Sequence, residues 1–172
     1  MPLEWILRVT HYLGRLASMS NFIDPDVHQP DLYRSMLNLD KNNSRSGLDA
    51  RTQDLIRIRV SQLNNCAYCI DMHSKDALAA GESIERVLGV TAWRETTFYS
   101  DAEQAALSFA EALTLPPDHA RIAAARDEVE RELGAEGVVQ VVFAVATIKA
   151  WNALGVGLRY VVGEHQAEAA AA

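Results

Sequence analysis

Apolar residues recur at every third or fourth position along this chain, between well-placed capping residues, and that periodicity fits helices rather than strands. Asp49 precedes Ile56, Val60 and Leu63 in helical register and predicts a helix over 50–63. Asn64-Asn65 breaks it, and a second helix starts at or just before Cys66, runs to Ala80 and stops at Gly81. Ser83 caps a short helix to Leu88, and Ser100-Asp101-Ala102-Glu103 is a capping box for a helix that ends before Pro116-Pro117. Asp118 begins another, closed by Gly134, and a last helix spans 136–161, loosened at Gly155 and Gly157. Toward the N-terminus, Ile6, Val9, Leu13 and Leu16 predict an amphipathic helix over 5–17. A loop over 21–30, a short helix over 31–38 and a polar connection at Lys41-Asn42-Asn43-Ser44 follow. The β-branched run 138–145 could pass for a strand, but its spacing continues helically through Ile148 and Asn152. The fold class read from these signals is all-α, a single domain over 1–172 with residues 164–172 forming a disordered, alanine-rich tail.

Charge and composition narrow the function classes. A net charge of -7, with basic residues scattered among acids, argues against a nucleic-acid surface. The richest apolar run, 138–150, is interrupted by Gln140, Thr147 and Lys149, so no membrane span is expected. Arg8, His11 and Arg15 interrupt any signal-peptide core, and a cytoplasmic home is expected. In that compartment a structural disulfide would be unusual and a catalytic one would not.

The chemistry gathers in Asn64-Asn65-Cys66-Ala67-Tyr68-Cys69-Ile70-Asp71-Met72-His73, which holds both cysteines of the chain. On a helix, residues three and four apart share a face, so Cys66, Cys69 and His73 form one stripe. One helical turn also brings two cysteines within disulfide range. At a helix start, unpaired N–H groups and the macrodipole favour a thiolate. An imidazole beside it can take the thiol proton or give one to a leaving hydroxide. Two other readings stay open at this point. The cysteines could simply be buried, or zinc could take Cys66, Cys69 and His73 with His11, His28, His119 or His165 as a fourth ligand. No second Cys/His pair at zinc spacing accompanies them, and Ile70 after Cys69 breaks the covalent-haem pattern.

Asp54, twelve residues before Cys66, could fold back to the thiols if the two helices pack antiparallel, or it could pair with Arg57 on its own surface. Asn152 lies on an apolar stripe, where its amide could cap a neighbouring helix or orient a site group. Trp5, Trp93 and Trp151 read as core or interface anchors.

From Asp54 to Ala80 the chain resembles the carboxymuconolactone decarboxylase-like superfamily on its alkylhydroperoxidase, AhpD-like side. An acidic residue (Asp54), a helix ending in Asn64, then CxxC-xxx-H at Cys66, Cys69 and His73 carry the likeness. It continues more weakly through Gly81, Ser100 to Glu103, Glu111 to Thr114 and Trp151-Asn152. The resemblance implies an AhpD-like domain of about six to eight helices that assembles into dimers, trimers or hexamers. It implies a thiol peroxidase with no metal or organic cofactor, in which Cys69 attacks a hydroperoxide and Cys66 condenses with it to a disulfide. His73 and Asp54 would form a proton relay. A lipoyl protein or a peroxiredoxin would be the thiol reductant. The other functions in view are a disulfide reductase serving a peroxiredoxin and a non-enzymatic redox-responsive oligomer. Two departures stand out: Asp54 occupies a position usually held by Glu, and Ala153 follows Asn152 where Arg is frequent. Both cysteines together argue against the decarboxylase branch.

Overall fold

One helix is buried on nearly every side, and the rest of the fold is arranged around it. The computed structural model describes residues 21–167, so the helix expected over 5–17, Trp5, His11 and the last five alanine-rich positions lie outside the described residues. The elements are α1 (Pro25–His28), α2 (Pro30–Asn43), α3 (Ala50–Leu63), α4 (Ala67–Ala79), α5 (Ile84–Gly89), a 3₁₀ turn (Val90–Glu95), α6 (Asp101–Thr114) and α7 (His119–Gly157). No strand occurs among the described residues. The chain is all-α.

α3 packs against α4, α6 and α7, and α6 lies along α7. Ile56 and Val60 of α3 join Phe109 of α6 and Val141, Val145 and Ile148 of α7 in one core cluster. Leu55 and Ile58, on the opposite side of α3, join Val87, Val90, Trp93 and Leu107 in a second. Each such fully buried aliphatic side chain contributes roughly 1.5–3 kcal/mol. The polar residues that α3 also buries are satisfied. Gln53 Nε2 donates to the Leu48 carbonyl at 2.8 Å, and the Ser61 hydroxyl accepts from Asn152 Nδ2 at 2.9 Å.

The caps stand where the side chains direct them. The Asp49 carboxylate accepts from the Thr52 N–H at 3.0 Å, and both halves of the Ser100/Glu103 capping box are formed. Gly81 ends α4 at φ 93°, with Glu82 N–H reaching back to the Ala77 carbonyl at 2.9 Å. Four expectations change. The 21–30 loop contains α1, started by Asp24 with Pro25 in the first turn. α2 runs through Lys41, Asn42 and Asn43, because the asparagines form its last turn rather than a connection. The break expected at Gly134 is present, with φ 72° there interrupting the helical geometry of α7, but α7 ends at Gly157, short of 161. Gly155 is an ordinary, buried helical residue of α7.

Residues 158–167 then cross back over α4 as an irregular strap with turns at 158–159 and 162–163. Gly163 N–H donates to Asp71 Oδ2 at 3.1 Å, Lys75 Nζ donates to the His165 carbonyl at 3.1 Å, and His165 Nε2 lies 2.6 Å from Asp76 Oδ1. The tail expected to be disordered from 164 is therefore tied down at His165. By length and composition alone α7 would also pass as a membrane-crossing helix. Val141, Ala144, Val145 and Ile148 spend one of its faces on the core, and Val139, Phe143 and Val156 are exposed on another.

Candidate functional site

Asn65 takes φ 55°, a left-handed conformation that asparagine tolerates, and so turns the chain from α3 into α4. Cys66 N–H donates to the Ser61 carbonyl at 3.0 Å, which fixes Cys66 at the N-cap of α4. Its Sγ accepts from the Cys69 N–H at 3.3 Å, so a sulfur fills the place a serine or aspartate oxygen commonly takes. The Cα atoms of Cys66 and Cys69 are 5.3 Å apart and the two sulfurs are joined as a disulfide.

The two cysteines have different surroundings. Cys66 is held against α7, where a Cβ added to Gly155 would sit 2.9 Å from Cys66 Sγ and 3.3 Å from Cys69 Sγ. Only a glycine lets α7 come this close to the bridge. Asn152, one turn earlier on the same helix, accepts from Asn64 Nδ2 at 2.9 Å while donating to Ser61, and so clamps the end of α3 that feeds the motif. Cys69, in contrast, forms part of the wall of a cavity of about 200 Å³.

His73 lines that cavity too, one turn beyond Cys69. The imidazole is nine-tenths buried and its Nε2 has no hydrogen-bond partner. Burial first, then the positive charges of Arg57 and His165, pull its pKa down to about 3, so it is neutral at physiological pH. The remaining walls are mostly apolar or aromatic: Leu37 and Met72, then Tyr33, Tyr68, Tyr160 and Trp151, with Asp40 as the carboxylate. Tyr160 meets Tyr68 edge-on at 5.0 Å, and Tyr33 meets Trp151 at 5.9 Å. Burial and the neighbouring Tyr33 and Tyr68 push the Tyr160 phenol up to about 12, which keeps it a hydrogen-bond donor. The same three tyrosines line a wider surface hollow of about 490 Å³, so they separate the inner cavity from the outside.

Asp54 is not part of this wall. Its Oδ1 accepts from Arg57 Nη1 at 3.1 Å, and burial raises its pKa against the lowering effect of Arg57. The pair is the one available on a single helix surface, here largely buried. Of the histidines named as a fourth zinc ligand, His28 and His119 are exposed and His165 pairs with Asp76. Among the described residues no three His, Cys, Asp or Glu side chains converge as a metal site. Sequence reasoning missed the aromatic wall, Asp40 and Gly155. Tyr68 and Met72 sit beside Cys69 and His73 on α4, and Tyr33, Leu37 and Asp40 fall on one face of α2. That these faces meet was not legible.

Residues 30–112 match the model of the carboxymuconolactone decarboxylase family. An uncharacterized Bacillus subtilis protein, YdfG, is 36% identical over 129 residues, which is 75% of this chain and 88% of its own length. A second uncharacterized protein, YnjA of Escherichia coli, is 34% identical over 42% of this chain and 40% of its own. Among solved structures, an Agrobacterium tumefaciens protein of unknown function, provisionally described as the antioxidant defence protein AhpD, superimposes with a TM-score of 0.79. It is 27% identical, over 85% of this chain and 100% of that one. The debrominase Bmp8, solved with 2,3,4-tribromopyrrole, shares the fold at TM-score 0.70 and 20% identity, over 80% of this chain and 73% of that one.

Proposed function

Because the chain belongs to the carboxymuconolactone decarboxylase family, on its AhpD-like side, we propose that it is a thiol-dependent peroxidase that reduces organic hydroperoxides through Cys69 and Cys66. One observation carries the reading. Cys69 and His73 open into the same small cavity while Cys66 is held behind, within bonding distance of Cys69 but away from that wall. Cys69 is then the nucleophile and Cys66 the resolving thiol. Neutral His73 passes protons at the reacting sulfur, and Asp54 serves through Arg57. The chemistry runs on sulfur alone, with a dithiol such as a lipoyl protein or a peroxiredoxin partner as reductant, in a reducing compartment such as the cytoplasm. The exposed Val139, Val142, Phe143 and Val156 recur at helical spacing on α7 and support a homo-oligomer closed through this helix.

The test uses reduced full-length protein and one equivalent of tert-butyl hydroperoxide, with peptide mass mapping over time. The expected result is a Cys66–Cys69 bond in the wild type, a trappable sulfenic acid on Cys69 in Cys66→Ser, and little peroxide consumption in Cys69→Ser. A wild type whose thiols persist would sink the peroxidase reading. Rapid reduction of an oxidised peroxiredoxin without peroxide consumption would replace it with an electron-carrier role. Light scattering on the same sample checks assembly, which a stable mass of 19.0 kDa would contradict.

A further inference from the structure

The cavity at Cys69 contains a carboxylate that the family-like motif does not include. Asp40 approaches from α2, on the same helical face as Tyr33 and Leu37, and lines the wall shared with Cys69 and His73. Arg57 of α3 stands between the two candidate acids, with Nη2 3.9 Å from Asp40 Oδ1 and Nη1 3.1 Å from Asp54 Oδ1. Asp54 is engaged with that guanidinium and is not among the residues lining the cavity; Asp40 is more open, its side chain 39% exposed against 18% for Asp54. We infer that Asp40 is the carboxylate that carries the proton during peroxide reduction at Cys69, and that Asp54 is a positioning residue that holds Arg57 beside it. This rests on the peroxidase reading above.

The chemistry calls for such a group. A buried imidazole without a partner can pass a proton, and a carboxylate in the same cavity gives that proton a second stop. His73, whose Nε2 is buried without a partner, lines a cavity whose other walls besides Cys69 are aromatic and aliphatic, apart from Asp40. The Cys69 thiol proton goes to Asp40, directly or through His73. The thiolate then attacks the terminal oxygen of the hydroperoxide. The S–O bond forms, the O–O bond breaks, and its electron pair leaves on the alkoxide, which takes the proton back from Asp40 as the alcohol. Cys66 next attacks the Cys69 sulfenic acid; the S–S bond forms, the S–O bond breaks, and hydroxide leaves with the Cys66 proton as water. The two thiols supply the two electrons. The charged and titratable groups around Asp40 are Arg57 from α3, His73 and Tyr68 from α4, Tyr33 on its own helix and Tyr160 from the strap, with Asp54 beyond Arg57.

The experiment measures thiol loss by rapid quench in full-length reduced protein with tert-butyl hydroperoxide, from pH 5 to 9, for the wild type, Asp40→Asn, Asp40→Glu and Asp54→Asn. The expected result is a slowing of roughly tenfold or more in Asp40→Asn across this range, partial recovery in Asp40→Glu, and a clearly smaller slowing in Asp54→Asn. Thermal melts check folding, and Asp40→Glu keeps the test decisive if Asp40→Asn melts early. An Asp40→Asn rate within twofold of wild type overturns the inference, as does a slowing in Asp54→Asn at least as large as that in Asp40→Asn. A wild type that forms no Cys66–Cys69 bond overturns the peroxidase reading and this inference together. A reactive wild type beside an unaffected Asp40→Asn overturns this inference alone.

Discussion

Glu111 and His73 are both buried ionisable side chains, yet one is fully partnered and the other is left open. Glu111 Oε1 accepts from Arg59 Nε at 2.7 Å and from Trp93 Nε1 at 3.1 Å, while Oε2 accepts from Arg94. Burial pushes its pKa up, but the hydrogen bonds from Arg94, Arg59 and Trp93 outweigh that and hold it below its ordinary value. His73 receives no comparable support; burial simply strips its charge. The first arrangement joins α3, the 3₁₀ turn and α6. The second leaves a ring nitrogen without a partner on a side chain that lines a cavity beside a sulfur. At these two sites, full satisfaction serves the packing of helices, and an open imidazole beside a sulfur is available for chemistry.

The largest loss of stability is expected from Glu111→Gln. It leaves Arg59, with a side chain only 15% exposed, without its counter-charge, and should cost about 3 kcal/mol of stability in urea melts. A loss under ~1 kcal/mol would put the cluster in the class of ordinary surface pairs. Gly155→Ala probes the closed side of the dithiol site. Its Cβ would press within 2.9 Å of Cys66 Sγ, and overpacking of this kind costs about 1–3 kcal/mol. Unchanged melting would mean that α7 can slide away from the bridge.

The smallest effect separates the two buried groups by pH. His73 has its folded pKa depressed from 6.5 to about 3, so the unfolded chain binds its proton first and stability falls as pH drops below 6.5. Between pH 6.5 and 5.5 the wild type should lose about 1 kcal/mol more than His73→Gln. Glu111 is also depressed, so its contribution is present above its ordinary value of 4.5 and is lost only as pH falls further. Equal stability slopes for wild type and His73→Gln between pH 6.5 and 5.5 would show that the imidazole is charged in the folded protein.

The helices near the motif were legible because their signals are local. Asp49, Ser83, Ser100 and Asp118 each cap the backbone a few residues ahead, and Gly81 and Gly134 each accept a conformation that a side chain resists. The register of Cys66, Cys69 and His73 was legible for the same reason. Boundaries failed where a weak local signal met packing. Asn42 and Asn43 read as a connection, but α2 carries on through them, with Asn43 buried against the body of the protein.

An all-helical chain with two thiols and an imidazole along one face of one helix start was legible from residues alone, because capping, periodicity and i to i+4 neighbours depend only on residues close in the chain. Tertiary structure decided which thiol faces a cavity, that α2 and the 158–167 strap close it with tyrosines, and that Asp40 rather than Asp54 lines it. Those facts depend on how α2, α3, α4 and α7 pack, where each contact joins residues far apart in the chain and the energy is shared among many side chains. No short pattern of residues encodes that.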